Sequence, residues 1–237
     1  MHTERCQREA AAFRKALSCG LPAVDWTRYH LQLLFVDRTD TVRARIAVGL
    51  FDKLAEWNGY GRALYATPCG VDPSSSSGSD GISTTVALMR RAETLGLSPK
   101  LFAKAKDSFV REDLDRFDLL IAVDTSVRDD ILASAGPAAE DCAYYAPRVA
   151  LLTDFAAYCG DDILRTGGTA VLDPDFGGMT PLLADAARQV RDIHSPLLSE
   201  GDKEWAPMIN TMVVSCAGLV QYLIDAYPPD LQHYDPV

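Results

Sequence analysis

The chain is predicted to fold as an α/β protein built around a parallel β-sheet. Short apolar runs alternate with longer stretches whose apolar residues recur at helical spacing, an order typical of strand–helix–strand units. The run Leu119–Val123 is bounded by Asp118 and Asp124, as expected of a buried parallel strand. In such sheets ligands bind beyond the carboxyl ends of the strands, so the residues that follow each strand are the first candidates for a site.

The first part of the chain is predicted to contain two helices with a strand between them. Apolar residues at helical spacing cover Thr3–Cys19, and Gly20 and Pro22 end this helix. A strand follows at Leu31–Val36. The second helix covers Val42–Trp57, and one face of it carries the apolar side chains of Ile46, Leu50, Phe51, Leu54 and Trp57.

Further along the chain, the pattern predicts two more strands, a helix and a long loop. The strands are Arg62–Thr67, which is short, and Val149–Leu152. The loop Val71–Asp80 is rich in serine and glycine, and a helix follows it at Ser83–Leu95. Strands and helices therefore alternate through most of the sequence, which favours a parallel sheet.

The composition argues against several classes of protein. The formal net charge of −10 is unlike that of nucleic-acid-binding proteins, which usually present a basic face. No apolar run reaches the roughly 20 residues of a membrane span, and the longest, Met212–Val220, is interrupted by Ser215 and Gly218. The six cysteines form no CxxC pair, so we expect reduced thiols and a cytoplasmic, organelle-matrix or stromal location.

The most informative segment runs from Val36 to Ala44, where a strand enters a polar turn and a helix begins. Its sequence is Val-Asp-Arg-Thr-Asp-Thr-Val-Arg-Ala, and Arg43 lies six residues after Asp37. This order resembles the low-molecular-weight protein tyrosine phosphatases, whose signature is Val-Cys-x-Gly-Asn-x-Cys-Arg-Ser. Only Val36 and Arg43 match it. Asp37 stands at the position of the nucleophilic cysteine, and Ala44 at that of the serine whose hydroxyl stabilises the thiolate.

The resemblance continues in the same order over residues 31–227. Phe117–Ser126 resembles the family's Phe-Asp-x-Ile-x-x-Met-Asp-x-Ser strand. Val171–Gly177 resembles its Asp-Pro-Tyr-Tyr-Gly loop, in which Asp173 holds the place of the general acid. Ser215–Leu223 resembles the family's last helix. The Asp-Pro loop and the strand–loop–arginine–helix frame together are more specific than either motif alone.

The resemblance implies a three-layer α/β sandwich with a four-stranded parallel sheet. It divides the chain into an N-terminal helical extension (residues 1–30), a phosphatase-like domain (31–227) and a Pro-rich tail (228–237). Residues of about 180–204 are an insertion beside the mouth of the ancestral site. The insertion carries an apolar face at helical spacing, formed by Leu182, Leu183, Ala186, Val190 and Ile193. Such a face either docks on another chain or folds back on the domain as a lid.

The resemblance also assigns an anion site to the loop. In a phosphatase of this kind, the loop N–H groups and the arginine bind the phosphoryl oxygens, and the corresponding anion-binding residues are Arg38, Thr39, Asp40, Thr41, Val42 and Arg43. A carboxylate about 4 Å from a phosphate repels it by roughly 4 kcal/mol at an effective dielectric constant near 20. We therefore expect the Asp37 carboxylate to fill the site itself, to pair with Arg43 and to have a depressed pKa.

Each of these residues also has a simpler interpretation. Arg43 fits a surface arginine at the start of a helix, and Asp173 fits an aspartate that begins a turn. Asp37, Asp40 and Asp173 could ligate Mg²⁺ or Ca²⁺, but aspartates that cluster in a sequence are more often solvated or ion-paired. No catalytic residue, metal ion or cofactor is therefore expected, and Asp37, Arg43 and Asp173 are interpreted as degenerate positions.

The function predicted from these residues is that of a catalytically inactive phosphatase-like protein, a pseudophosphatase. It would act as a binding or structural subunit of a larger assembly, with protein partners rather than nucleic acid or a spanned membrane. The alternative is a phosphoester hydrolase that uses Asp37 or a metal-bound water, with Asp173 as the general acid. An arsenate reductase is disfavoured because that activity needs the loop cysteine. Asp37 and Asp40 both favour the binding protein over the enzyme.

Overall fold

Four parallel strands form the centre of the molecule. The computed structural model describes residues 30–76, 81–159, 181–194 and 202–226, and within them the sheet has the order β2-β1-β3-β4. The strands are β1 (Leu31–Asp37), β2 (Leu64–Gly70), β3 (Leu119–Ala122) and β4 (Val149–Leu151). The predicted α/β class and the four-stranded parallel sheet are confirmed.

Helices lie on both faces of this sheet. In chain order they are α1 (Arg43–Trp57), α2 (Gly81–Thr94), α3 (Lys100–Ala103), α4 (Asp113–Arg116), α5 (Thr125–Ala133), α6 (Ala139–Tyr145), α7 (Pro181–Arg188) and α8 (Asp202–Ala226). Short 3₁₀ turns lie at Pro73–Ser76, Ala146–Arg148 and Leu152–Tyr158. The predicted helices Val42–Trp57 and Ser83–Leu95 correspond to α1 and α2, whereas helices α3 to α6 were not predicted.

Two apolar clusters, one on each face of the sheet, produce the three layers. Successive residues of a strand point to opposite faces, and β1 shows this clearly. Leu33 and Phe35 belong to the cluster that includes α1 and α8, whereas Leu34 and Val36 belong to the cluster that includes α5. The predicted apolar face of α1 is buried except at Trp57, which is 47 % exposed because it lies at the last position of the helix.

The register of the sheet explains why one predicted strand is displaced. Strand β1 pairs with β2 along its whole length, from Leu31 opposite Leu64 to Asp37 opposite Gly70. The predicted strand Arg62–Thr67 therefore begins two residues early and stops before Gly70, since sequence periodicity alone does not specify which partner residues a strand must reach. Pro68 is tolerated in β2 because, within the described part of the chain, this edge strand has a neighbouring strand on one side only.

Helix α8 corrects the expectation that no segment is long enough to cross a membrane. Residues Trp205–Ala226 are long and apolar enough by length and composition, but 72 % of this stretch is buried inside the protein, as in a core helix. Ser215 and Gly218, which interrupt the apolar run in the sequence, both lie inside the core. A Cβ atom at Gly218 would lie only 2.0 Å from the carbonyl oxygen of Phe155, so glycine permits this close approach.

Three predicted features lie outside the described residues. These are the helix Thr3–Cys19, the Pro-rich tail (228–237) and the Asp-Pro loop Val171–Gly177 with Asp173. The division into an extension, a domain and a tail stays a prediction.

Candidate functional site

The candidate site is the turn that joins β1 to α1, which we call the loop (Arg38–Val42). It lies at the carboxyl end of the sheet, where ligands of parallel α/β proteins bind. The end of β2 supports it from one side, because the Val71 N–H donates to the Asp37 carbonyl oxygen at 3.0 Å. A Cβ atom at Gly70 would lie 2.6 Å from the backbone nitrogen of Asp40, so only glycine fits beneath the loop.

The carboxyl group of Asp37 occupies the interior of the loop. It is 1 % exposed. Its Oδ1 accepts the backbone N–H groups of Thr39 at 2.9 Å and Asp40 at 2.5 Å, and its Oδ2 accepts that of Ala44 at 3.1 Å. Helix α1 has no side-chain cap at Val42, so Asp37 supplies an oxygen to its first turn instead. The expectation that this carboxyl lies in the N–H cradle agrees with these hydrogen bonds.

The expected depression of the Asp37 pKa is wrong. Burial raises the pKa of Asp37 above its ordinary value of 3.8, and the N–H groups of Ala44, Asp40 and Thr39 and the charge of Arg43 oppose this rise without cancelling it. The physical reason is the nearly complete loss of water around the group, combined with the absence of an ion pair to it among the described residues.

Arg43 does not pair with Asp37, which corrects a second expectation. Its Nη1 donates to Asp124 Oδ2 at 2.7 Å and to the carbonyl oxygen of Ile193 at 2.6 Å. The side chains of Arg43 and Asp124 are 13 % and 15 % exposed. The interpretation of Arg43 as a simple surface arginine is therefore also wrong, because the guanidinium bridges three separate segments of the chain.

Asp124 is placed by the strand next to β1. It follows β3 and caps helix α5, where its Oδ1 accepts the N–H of Val127 at 2.9 Å and the hydroxyl of Ser126 at 2.8 Å. Although partial burial opposes the change, these hydrogen bonds and Arg43 lower the pKa of Asp124. The Asp124 carboxylate is therefore the counter-ion of Arg43, the arginine that follows the loop in the resemblance.

Asp40 faces away from the interior of the loop and forms a buried ion pair with Arg45. The Arg45 guanidinium donates to Asp40 Oδ1 at 3.1 Å and Oδ2 at 2.8 Å, and the side chains are 3 % and 1 % exposed. Arg45 also donates to the backbone carbonyl oxygen of Asp40 at 2.9 Å and to three more carbonyl oxygens, those of Leu101, Lys104 and Ala105. The use of Asp40 as a reason to favour a binding protein over an enzyme is therefore corrected, because Arg45 neutralises its charge.

The remaining predicted anion-binding residues shape the loop. Thr41 donates its hydroxyl to the Thr39 carbonyl oxygen at 3.2 Å. Arg38 leaves the loop toward α5, where it donates to Asp130 at 2.5 Å and Ser126 at 3.0 Å. Asp40, at the position where the resemblance places an asparagine, has a positive φ of 48°. Whether the loop binds an external anion stays a prediction.

The insertion beside the site buries a different face from the one predicted. Ala184, Ala187 and Ile193 are buried, whereas Leu182 is 81 % and Leu183 is 43 % exposed. The small alanines let α7 lie close to the domain, and the larger leucines point outward. Of the predicted apolar face, Ile193 is the member that enters the core.

The proposed metal trio gains no support from the described part of the chain. There, no group of three His, Cys, Asp or Glu side chains is placed to hold a metal ion. Asp40 is committed to Arg45, and Asp173 lies outside the described ranges.

Sequence reasoning missed Arg45, Asp124 and Asp192. Arg45 stands in the helix beside Arg43 and gives no sign of burial, since arginine is rarely buried unless it is paired. Asp124 could have been found, because it follows β3 and the ends of adjacent parallel strands lie together. Asp192 accepts both the N–H and the hydroxyl of Thr125 at 2.7 Å, a contact between distant segments that no local pattern predicts.

Comparison with solved structures decides the fold family. YfkJ from Bacillus subtilis matches with a TM-score of 0.50 and 16 % identity, covering 81 % of this chain and 94 % of that chain. A protein tyrosine phosphatase from Entamoeba histolytica matches in a product-state mimic with a TM-score of 0.54 and 15 % identity, covering 80 % and 93 %. The chain has the fold of the low-molecular-weight protein tyrosine phosphatases.

The similarity is one of fold and does not extend to recognisable sequence. A second crystal structure of the Entamoeba histolytica phosphatase, with Hepes in its active site, has a TM-score of 0.51 and 17 % identity, covering 82 % of this chain and 97 % of that chain. No protein-family model matches the sequence, and no curated protein matches it. The comparisons therefore support the predicted architecture, and the chemistry of the loop has to be argued from its own residues.

Proposed function

We propose that this protein is a pseudophosphatase: a phosphatase-fold protein without phosphatase activity that serves as a binding or structural subunit. The observation that carries the proposal is the position of Asp37. Its carboxyl group occupies the N–H cradle of the loop and accepts hydrogen bonds from Thr39, Asp40 and Ala44. The groups that would orient phosphoryl oxygens in a phosphatase-like loop are thus engaged by a side chain of the same loop.

Asp37 is also poorly suited to act as a nucleophile. Both of its oxygens accept backbone hydrogen bonds, and the residue is 1 % exposed, so an attack on phosphorus would require the loop to open. The raised pKa of the buried group further reduces the fraction of carboxylate available. The positive charge of Arg43 is already paired with Asp124, and the same Nη1 that donates to Asp124 also donates to the Ile193 carbonyl oxygen, so less of that charge is left to balance a phosphoryl group.

Activity measurements on the full chain test the catalytic part of this proposal. The purified protein should hydrolyse an aryl phosphate no faster than a buffer control, with or without Mg²⁺. Metal-independent turnover that disappears in Arg43→Ala would refute the proposal. Turnover that requires Mg²⁺ and is lost in Asp37→Asn would instead establish the phosphoester hydrolase, the alternative with Asp37 as nucleophile or metal ligand.

The subunit role is tested by the size of the native particle. The chain has a mass of 25.8 kDa and a net charge of −10, and its exposed Leu182 lies on an insertion beside the closed site. In a gentle extract of its natural source, the protein should elute with a larger particle on size-exclusion chromatography. Elution at the mass of a single chain, unchanged by mild crosslinking, would contradict the subunit role and leave the catalytic argument intact.

A further inference from the structure

A four-residue segment after α7 crosses the carboxyl end of the sheet beside the loop. We call this segment the strap (Arg191–His194). It ends the described range 181–194, and backbone and side-chain hydrogen bonds attach it to the domain. Its Ile193 side chain is 1 % exposed and belongs to the same apolar cluster as α1 and α8.

The strap is attached to two different strand ends. The Ile193 N–H donates to the carbonyl oxygen of Val123, which follows β3, at 3.2 Å. Asp192 accepts the N–H and the hydroxyl of Thr125, the first residue of α5, each at 2.7 Å. The hydroxyl of Thr153, in the turn after β4, donates to the Arg191 carbonyl oxygen at 2.6 Å. These contacts place the strap over the edge at which a phosphatase-like loop receives its ligand.

The strap also supplies one of the two acceptors that hold Arg43. The Ile193 carbonyl oxygen lies 2.6 Å from Arg43 Nη1, and the Asp124 carboxylate lies 2.7 Å from the same nitrogen. If Nη1 turned toward an anion, the hydrogen bonds to the carboxylate and to the carbonyl oxygen would both be lost. Releasing the strap would remove one of these acceptors and unblock the approach to the loop.

We propose, building on the proposed function, that the strap is an autoinhibitory closure of the anion site, separate from the Asp37 carboxyl that fills the loop. Asp37 occupies the N–H cradle, and the strap restrains Arg43 and covers the edge of the sheet. The Asp37 carboxyl and the strap thus block different parts of the same site. Releasing the strap therefore strengthens phosphate binding once the Asp37 carboxyl has been removed from the cradle.

Asp192 is the residue through which the strap can be released without altering the loop. Hydrogen bonds from Thr125 lower the pKa of Asp192, so it is a carboxylate at neutral pH and accepts strongly. Asp192→Ala removes both contacts to Thr125. Asp185→Ala is the matched control, because it removes a carboxylate of α7 that pairs with Arg188 on the surface. Within the described part of the chain, Asp185 forms no hydrogen bond or ion pair with a strap residue.

The first measurement is inorganic phosphate binding by titration calorimetry, with Asp37→Ser as the background in the full chain. Asp37→Ser combined with Asp192→Ala should bind phosphate at least about tenfold more tightly than Asp37→Ser alone, a difference of roughly 1.4 kcal/mol in binding free energy. Asp37→Ser combined with Asp185→Ala should match the single variant. Equal affinity in all three proteins would overturn the strap proposal while leaving the pseudophosphatase proposal standing.

The second measurement follows the strap without any ligand. Hydrogen exchange at the Ile193 amide should become at least about tenfold faster in Asp192→Ala, whereas exchange in β1 should not change. Thr125→Val provides a milder variant in case Asp192→Ala does not fold, since it removes the hydroxyl donor and keeps the N–H. Unchanged exchange at Ile193 in both variants would overturn the proposal. Aryl phosphate turnover by the unmodified protein would instead overturn the pseudophosphatase proposal, whatever the exchange rates.

Discussion

The substitution Arg45→Met tests whether a buried ion pair sets the shape of the loop. Arg45 makes six hydrogen bonds, three to Asp40 and three to backbone carbonyl oxygens between residues 101 and 105. Methionine keeps most of the apolar stem but none of the donors. The Asp40 carboxyl, 1 % exposed, would then be buried with one remaining N–H donor, that of Asp107.

The size of the expected effect follows from this burial. Removing one partner of a buried ion pair typically costs about 3–5 kcal/mol, because the other charge remains without compensation. For a chain of this length, each kcal/mol lowers the melting temperature by roughly 2–4 °C, so the expected loss is about 6–20 °C. The loss should appear in urea unfolding as a lower midpoint with an unchanged slope.

Arg38→Met is the matched control for this experiment. It breaks an ion pair of similar length, that with Asp130, but the two side chains are 39 % and 48 % exposed. A surface pair of this kind contributes about 0–1 kcal/mol, since water and salt screen it. If Arg45→Met is as stable as Arg38→Met, the buried pair does not hold the loop and our reasoning about Asp40 fails.

Two further predictions concern stability. Gly218→Ala should lower the free energy of unfolding, measured in urea, by about 1–3 kcal/mol, because its Cβ would lie 2.0 Å from the Phe155 carbonyl oxygen. Gly49→Ala is the control and should be near neutral, because its Cβ would meet the flexible Leu97 side chain at 3.2 Å. Equal losses of stability in the two variants would contradict the close packing at Gly218. The raised pKa of Asp37 means that its contribution to stability is complete below 3.8 and is lost as the pH rises through the folded-state pKa. Asp37→Asn stays neutral, so its free energy of unfolding should rise relative to that of the unmodified protein as the pH increases from about 4 to about 8. If this difference falls with pH instead, the pKa of Asp37 is depressed in the folded protein, as expected from the sequence.

The sheet and α1 could be predicted from the sequence because their patterns are local. The run Leu119–Val123 is continuous and apolar, Leu31–Val36 is apolar except for Gln32, and both became strands buried on both faces. Helices α5 and α6 carry few apolar residues per turn, and their burial is provided by the sheet, so periodicity did not reveal them. The end of β2 was missed because Gly70 is positioned by the loop above it rather than by its own propensity.

The site was predictable only where its contacts are local in the sequence. The position of the Asp37 carboxyl follows from the order of strand, turn and helix, since a helix N-terminus attracts an acceptor that the preceding strand delivers. The partners of Arg43 do not follow from it. Asp124 is 81 residues away in sequence and the Ile193 carbonyl oxygen 150, so their contacts exist only once the sheet and the strap are assembled.

Arg43 and Arg45, two residues apart in α1, have different partners, and together they stabilise the loop in the absence of a ligand. Arg45 neutralises Asp40 and fixes the turn, while Arg43 joins α1 to Asp124 and to the strap. Asp37 satisfies three N–H groups that would otherwise need water or an anion. The charges of Asp40 and Arg43 are thus paired within the chain, and the N–H groups around Asp37 are satisfied by its carboxyl group. A loop whose N–H groups are already satisfied from within the chain should gain less stability from a bound phosphate than a loop with free N–H groups, and the phosphate dependence of the melting temperature would measure this difference.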